Sequence, residues 1–235
     1  MRSTAVALGL ISFASQPVAA AIFESDNRFA ADPLYDPAVK AIARAHHGFR
    51  KATAFLVGRC HAATAQHLVS MKRDPVGRHV WLHLFGNRAK VRSTVIDAGH
   101  MERRENLGDY RRDWILLRLD RCLPEGTAVF RVTSRLQEGL VATAGYPEDL
   151  SAPAVERDCR IRSFSFRGFL HDCASYPGSS GSPIYIRGSG APIVVAIQSA
   201  GFKSRRPEPF EFNRANVAAP AWDLADALKR DRVGD

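Results

Sequence analysis

The sequence predicts an all-β fold, either a barrel or a sandwich. Short segments rich in β-forming residues recur along the chain and are separated by turns, as in TAFLVG, HVWLHLFG, DWILLRLD and APIVVAIQ, and this spacing is typical of antiparallel sheets. The sequence GSG at 188–190 lies between two apolar segments and predicts a β-hairpin. Only two segments, 35–47 and 220–231, have helical patterns, and Pro220 is suited to open the second as a short C-terminal helix.

Length and composition favour one globular domain or two closely joined halves. The chain has 235 residues, of which 46% are hydrophobic, so it can bury a sizeable core. The formal charge is +9, and removal of residues 1–21, whose only charged residue is Arg2, leaves +8. Because the arginines are dispersed, without a basic helix, we interpret the charge as a solvated basic surface and expect no specific nucleic-acid partner.

The first residues, 1–21, predict a signal peptide. Arg2 precedes an apolar run at 5–13, and small residues at 18–21 offer an A-x-A-like cleavage site. This run is too short to span a membrane, and no later segment is long and apolar enough to do so. The alternative, a buried N-terminal helix, lacks capping and amphipathic spacing. We therefore expect a secreted or periplasmic protein whose mature domain spans 22–235.

Four cysteines, an even number, agree with an oxidising compartment. Three connectivities are possible for Cys60, Cys122, Cys159 and Cys173, and we favour Cys159 with Cys173 across one hairpin and Cys60 with Cys122 between two strands. No close pair such as C-x-x-C is present, which argues against a zinc site. No Asp-rich loop or pair of histidines at ligand spacing occurs either, so we expect no metal and no cofactor.

A serine-rich turn, YPGSSGSPIY at 176–185, is a candidate for nucleophilic chemistry. A serine nucleophile needs a base, an acid that orients the base, and hydrogen-bond donors for the oxyanion. Gly178 and Gly181 flank Ser180 and permit a tight backbone that points the amides of Gly178 and Ser180 at one spot. Taken alone, this pattern is more often an ordinary turn.

Candidates for the base and the acid precede that turn in the chain. His67 follows a run of small residues at the end of a predicted strand, with His61 as a weaker competitor. Asp113 opens the apolar strand DWILLRL, and a carboxylate buried there can orient an imidazole. Asp97 and Asp109 are competitors, but neither leads directly into so apolar a segment.

The order His, Asp, Ser on a β-rich chain resembles that of the chymotrypsin-like serine peptidases, especially the bacterial V8-type glutamyl endopeptidases. TAQHL is similar to the TAAHC of that family, DWILLRL to its D-x-A-L-L strand, and GSSGSP to its G-[DNS]-S-G-[GS]-P. AGYP at 144–147 and IFESDNR at 22–28 also resemble segments of the bacterial branch. The resemblance implies two six-stranded antiparallel β-barrels, at about 22–130 and 131–220, with the active site in the cleft between them.

The resemblance also implies roles for individual residues. By this match His67 is the general base, Asp113 orients it, Ser180 is the nucleophile, and the amides of Gly178 and Ser180 form the oxyanion hole. Protein or peptide substrates of a monomeric enzyme follow from the same match. The residues that fall on the substrate pocket are Ala174, Ser175, Gln198, Ser199 and Gly201.

Departures from the family pattern affect specificity and maturation. No aspartate lies at the pocket base, where Ala174 stands, so a buried Lys or Arg of the substrate would lack a partner. Gln198 replaces the histidine of glutamate-selective relatives, which leaves the specificity open. Ser179 stands where animal members carry an aspartate that pairs with a freed N-terminus. Gln66 replaces a small alanine, and its longer side chain must find space and a partner.

Three functions therefore compete. The first is a serine endopeptidase that acts through an acyl-enzyme. The second is a catalytically silent member that binds proteins or polysaccharide through the same cleft. The third, a basic surface-binding module, uses only the charge and explains none of the motifs.

Overall fold

Strands make up most of the structure, a computed structural model that describes residues 22–70, 74–86, 90–101, 103–104, 107–108, 110–135, 139–201 and 208–233. The predicted signal peptide, 1–21, lies outside the described residues. Strands of the first half are β1 (Phe29–Ala30), β2 (Ile42–His47), β3 (Arg50–Gly58), β4 (His61–Thr64), β5 (His79–Leu84), β6 (Lys90–Ala98), β7 (Arg103–Arg104), β8 (Leu107–Gly108) and β9 (Ile115–Leu119). The second half contains β10 (Arg131–Val132), β11 (Gly139–Gly145), β12 (Ala154–Ser165), β13 (Gly168–His171), β14 (Pro183–Ile186), β15 (Ile193–Ala200), β16 (Asn216–Pro220) and the helix α1 (Trp222–Val233).

The first half closes into a six-stranded antiparallel barrel in the order β2-β3-β4-β9-β6-β5. Its interior is apolar, with Phe55, Leu82, Ile115 and Leu117 all fully buried. Each such side chain stabilises the fold by about 1.5–3 kcal/mol relative to exposure. The predicted all-β architecture is thus confirmed in this half.

The second half also forms a closed ring of six strands. They pair in the order β12-β11-β14-β15-β16-β13, and β13 returns to pair with β12. Val141, Ile161, Phe169 and Val195 fill its interior. The short strand β1 extends the edge of β12, and β10 pairs in parallel with β15. The expectation of two six-stranded barrels is therefore confirmed.

Aromatic side chains join the two barrels. The ring of Phe130, in the connecting segment, lies 5.7 Å from that of Phe55 and 5.2 Å from that of Tyr185. The Tyr185 hydroxyl donates a 2.8 Å hydrogen bond to the buried Asp36. Because the three rings are buried and in contact, they fix the position of one barrel relative to the other and hence the cleft between them.

The helix α1 follows the second barrel but packs against the first. Leu224 and Leu228 are buried in the same core as the first barrel. Asp231 accepts a 2.6 Å hydrogen bond from Arg118 on β9 and lies 2.6 Å from Nε2 of His61 on β4. No helix in the described part of the chain is long and apolar enough to cross a membrane.

The predicted helix at 35–47 is wrong except for its first turn. Asp36 caps a short 3-10 helix, Pro37–Ala41, and accepts a hydrogen bond from the Ala38 amide at 3.1 Å. From Ile42 onward the chain is strand β2, whose Ala43 pairs with both β3 and β5. Pairing on two sides and complete burial outweigh the local helix preference of this alanine-rich segment.

Two disulfides join the cysteines in the pairs that the sequence favours. Cys60 and Cys122 link the turn after β3 to the segment after β9, and Cys159 and Cys173 link β12 to the segment after β13. The bridged residues are 62 and 14 positions apart. Crosslinks of this kind stabilise a fold by about 2–4 kcal/mol each.

Candidate active site

His67 and Asp113 lie side by side at one end of the first barrel. His67 is in a 3-10 turn, Gln66–Leu68, that follows β4, and Asp113 lies two residues before β9. These strands are antiparallel neighbours, with Thr64 paired to Ile115, so their adjoining ends bring the two side chains together. Asp113 Oδ2 lies 2.6 Å from His67 Nδ1, and the His67 amide donates to Asp113 Oδ1 at 2.9 Å.

The Asp113 carboxylate is completely buried but fully hydrogen-bonded. In addition to His67, it accepts a short hydrogen bond from the Ser199 hydroxyl. Burial alone would raise the pKa of Asp113, but the charge of His67 and these hydrogen bonds outweigh it and lower that pKa below its usual value. The carboxylate is therefore ionised at neutral pH.

The His67 imidazole responds in the opposite direction. Burial lowers its pKa, but the charge and hydrogen bond of Asp113 exceed that effect, so the pKa of His67 is raised above its usual value. With Nδ1 donating to the carboxylate, Nε2 is the nitrogen available to accept a proton. The side chain remains 26% exposed, which leaves it open to the cleft.

The loop that carries Ser180 is shaped by its own backbone hydrogen bonds. The Ser179 amide donates to Tyr176 O at 2.8 Å, and the Gly181 amide donates to Gln198 O at 2.7 Å. Within the described residues, the amides of Gly178 and Ser180 donate to no protein acceptor. These are the two donors that an oxyanion hole requires.

Two glycines in this loop allow the backbone to pass close to its neighbours. Gly178 has φ +90°, and a Cβ there would lie 2.3 Å from Tyr146 O. Gly181 has φ +80°, and its Cβ would lie 2.2 Å from both Thr53 O and Thr64 Oγ1. A larger residue at either position would be strained, and it would collide with the segment after β11 at 178 and with the first barrel at 181.

Thr53 on β3 connects this loop to the first barrel. Its amide donates to Ser180 O at 2.8 Å and its hydroxyl to Gly178 O at 2.9 Å. Thr64 Oγ1 in turn donates to Thr53 O at 2.6 Å, three residues before His67. Ser180 is therefore held beside the segment that leads into His67. Sequence reasoning missed Thr53, because a threonine inside a strand is unremarkable.

The competing candidates have other contacts. His61 is engaged with Asp231 near α1, and Asp97 binds Arg230 at 2.8 Å. Asp109 lies outside the described residues. Gln66, although bulky, is accommodated: it is 2% exposed and its Oε1 accepts a 3.0 Å hydrogen bond from the Met101 amide.

The residues predicted for the substrate pocket lie close to one another in the structure. Gln198 Nε2 donates to Ser175 Oγ at 2.9 Å, and a Cβ on Gly201 would lie 2.7 Å from the same hydroxyl. Ala174 continues this wall and is buried. Ser199, also predicted as a pocket residue, donates its hydroxyl to Asp113.

A carboxyl group below this wall escaped the sequence prediction. Glu156 on β12 is buried and its Oε2 accepts a 2.7 Å hydrogen bond from the Ala174 amide. Burial raises the pKa of Glu156 to about 7, although the hydrogen bond from Ala174 acts against this rise. No motif surrounds Glu156 in the sequence, so only the pairing of strands reveals its position. Among the described side chains, no three from His, Cys, Asp and Glu converge as a metal site would require.

Comparison with known proteins gives the family. The sequence model of the trypsin-like peptidase domain matches residues 52–197, more than half of the chain. A solved structure described as a Glu endopeptidase in complex with MPD shares the fold, with a TM-score of 0.66 and 16% identity over 91% of this chain and 100% of that chain. A comparison with curated protein sequences finds no match. The chain therefore belongs to the trypsin-like peptidase family of serine endopeptidases.

Proposed function

We propose that the protein hydrolyses peptide bonds by a Ser180, His67 and Asp113 triad through an acyl-enzyme. The observation that carries the proposal is that both oxygens of the buried Asp113 carboxylate contact His67. Thr53, on the first barrel, also binds the loop that contains Ser180. One acid oxygen meets the imidazole and the other meets its backbone amide, which fixes the ring in a single orientation.

In the proposed reaction, Ser180 Oγ attacks the carbonyl carbon of the scissile bond. His67 Nε2 takes the serine proton, and ionised Asp113 stabilises the imidazolium that forms. The amides of Gly178 and Ser180 donate to the oxyanion. His67 then gives the proton to the leaving amine, and water, activated by the same nitrogen, hydrolyses the ester.

Because the side chains of the pocket wall are uncharged, we expect the enzyme to prefer substrates with an uncharged or weakly polar residue before the scissile bond. Ser175 and Gln198 offer hydrogen bonds without charge. Arg214, another candidate for recognising an acid, is engaged with Glu208 at 2.9 Å and with Glu211 at 3.7 Å. A profile of peptide products tests this preference directly.

Export is part of the same proposal. The pattern at 1–21 is that of a signal peptide, and two disulfides fit an oxidising compartment. We expect a monomer that acts on protein or peptide substrates outside the cytoplasm. Sequencing the N-terminus of the exported protein tests the predicted start near Ile22.

A fluorophosphonate probe separates an active enzyme from a silent member. The probe should label the wild-type protein and fail to label Ser180→Ala, because it reacts only with an activated serine. Ser189→Ala, in an exposed hairpin, is the matched control and should be labelled normally. A folded wild-type protein that resists the probe would overturn the proposed activity and favour a binding role.

A further inference from the structure

A basic groove adjoins the Ser180 loop and is not used by the proposed reaction. Two cavities, of about 330 and 760 Å³, share Arg44 and Tyr146 as common walls. The basic side chains come from four strands of the first barrel, β2, β3, β5 and β6, and Tyr146 comes from the segment after β11. We define the basic groove by Arg44, His46, Lys51, His83, Lys90 and Tyr146.

The groove adjoins the Ser180 loop through Tyr146. The Tyr146 amide donates to Thr53 Oγ1 at 2.8 Å, and Tyr146 O lies against Gly178. Lys51 is two residues from Thr53 on β3, so the two side chains share one face of the strand. Tyr146, at one end of the groove, is therefore a neighbour of Gly178, whose amide is a proposed oxyanion donor.

The position of the groove relates it to the leaving half of a substrate. The pocket wall includes Ser175, which precedes the Ser180 loop, whereas the groove meets that loop at Gly178. In the proposed reaction His67 gives its proton to the leaving amine, so the residues after the scissile bond begin beside His67. Arg50, which donates to His67 O at 3.0 Å, directly precedes Lys51. The residues after the scissile bond thus meet the groove.

Strand pairing explains why the cations face one way. Arg44 on β2 is opposite His83 on β5, and His46 is opposite Lys51 on β3. Positions two apart on a strand share a face, so these side chains form one patch. The half-buried Arg44 lies 5.0 Å above the Tyr146 ring, which fixes its guanidinium.

Positive side chains outnumber negative ones among the described residues of the groove. Among the described residues, Arg44, Lys51 and Lys90 make no ion pair, whereas Arg28 and Arg162 each bind a carboxylate. Glu148 is the sole acidic residue among the described residues that line the two cavities.

The pKa values of the two histidines of the groove, His46 and His83, are affected by this charge. Their rings are 5.0 Å apart. Burial, followed by neighbouring positive charges, lowers the pKa of both His46 and His83. The groove therefore has a positive potential, which an anionic group would relieve.

We propose that the basic groove binds acidic side chains, Asp or Glu, among the first few residues after the scissile bond. This inference rests on the proposed function, since it describes the leaving half of the same substrate. Substrates with such residues are cleaved faster, because Arg44 and Lys51 bind the peptide before the acyl-enzyme forms.

Matched peptides test the proposal. Two substrates share one sequence before the scissile bond and carry either Asp and Glu, or Asn and Gln, at the second and third positions after it. We expect kcat/KM to be about tenfold higher for the acidic peptide at low salt, and the advantage to shrink as salt is raised. In Arg44→Gln/Lys51→Gln the advantage should fall below about twofold.

Controls separate the groove from the catalytic centre. The double variant Arg121→Gln/Lys229→Gln removes two exposed charges elsewhere and should keep the acidic preference. A p-nitroanilide with the same acyl sequence has no residues after the scissile bond, so Arg44→Gln/Lys51→Gln should cleave it within about twofold of wild type. If Arg44→Gln perturbs folding, the same peptides are compared with the single variants Lys51→Gln and Lys90→Gln, whose side chains are exposed. Each single variant should reduce the preference for the acidic peptide.

The outcomes distinguish this proposal from the proposed function. If the p-nitroanilide is cleaved but the two peptides are cleaved equally, the groove proposal is wrong and the triad stands. Loss of all cleavage and of probe labelling in the folded wild type overturns the proposed function itself. If a sulfated oligosaccharide occupies the groove and no acidic peptide is preferred, the groove binds polyanions and the peptide proposal is overturned.

Discussion

The two barrels hold their contributions to the cleft by different means. The first supplies His67 and Asp113, whose positions depend on side-chain hydrogen bonds to a buried carboxylate. The second supplies Ser180 and the two free amides, whose positions depend on a backbone that only glycine can adopt at 178 and 181. The comparison teaches that substitutions of His67, Asp113 or Ser180 should alter proton transfer, whereas substitutions of the two glycines should alter the geometry of the backbone.

The largest effects should come from the groups that exchange the proton. Ser180→Ala or His67→Ala should each lower kcat by about a million-fold, and the double variant should lose little more, because the two residues act as a unit. Steady-state hydrolysis of a p-nitroanilide measures the loss. Circular dichroism should show an unchanged fold. Near-normal activity in His67→Ala would remove His67 from the role of base.

Asp113→Asn should be the next most damaging change. An amide keeps the shape but favours the wrong imidazole tautomer, so kcat should fall by roughly 10⁴-fold. Asp97→Asn is the matched control, since Asp97 binds Arg230 on the surface, and it should retain nearly full activity. A small effect at Asp113 would mean that the ring of His67 is oriented by another group.

Backbone substitutions should weaken the second barrel's contribution without changing proton transfer. Gly178→Ala places a methyl group 2.3 Å from Tyr146 O and strains φ, so the loop must move. We expect kcat to fall by about 10²–10³-fold, as when an oxyanion donor is lost. Gly188→Ala, where no atom lies within 4 Å of the added Cβ, is the control. Equal activity of the two variants would contradict the backbone role.

The pH dependence of kcat/KM should follow the protonation of His67 in the first barrel. Since Asp113 raises the pKa of His67, and the base must be neutral, kcat/KM should fall about tenfold per unit as pH drops below that pKa. Glu156, whose pKa is about 7, also titrates in this range. Rate profiles of wild type and Glu156→Gln should share the same acidic limb. A shifted limb in Glu156→Gln would assign the transition to the pocket instead.

The smallest effect should come from the residue that joins the two barrels. Thr53→Val keeps the shape but removes the hydrogen bond to Gly178 O and the acceptor of the Tyr146 amide. Leaving such groups unsatisfied costs about 1–3 kcal/mol in stability, and we expect kcat to fall by about threefold to tenfold. Thr127→Val, in a turn remote from the cleft, is the control. Unchanged kcat with lowered thermal stability would limit Thr53 to a structural role.

The sequence predicts catalytic residues that stand in short motifs, but it does not predict hydrogen bonds between residues that are far apart in the chain. His67, Asp113 and Ser180 stand in short motifs, and strand patterns gave the fold class. Thr53 acts on a residue 125 positions away. Ser199 reaches Asp113 across 86 positions. No local pattern encodes such contacts.

The error at 35–47 has the same origin. Asp36 does cap a helical turn at the start of this segment. Pairing of β2 with two distant strands then decided the rest of the segment.

The contact of α1 with the first barrel has a consequence for the order of synthesis. Leu224 and Leu228 cover a barrel that was made about a hundred residues earlier, and Asp231 bonds to β4 and β9. A chain that leaves the ribosome N-terminus first therefore lacks the packing of α1 against the barrel that holds His67 and Asp113 until its final residues emerge. Premature termination near the C-terminus would release a molecule that carries all three proposed catalytic residues on an unfinished scaffold.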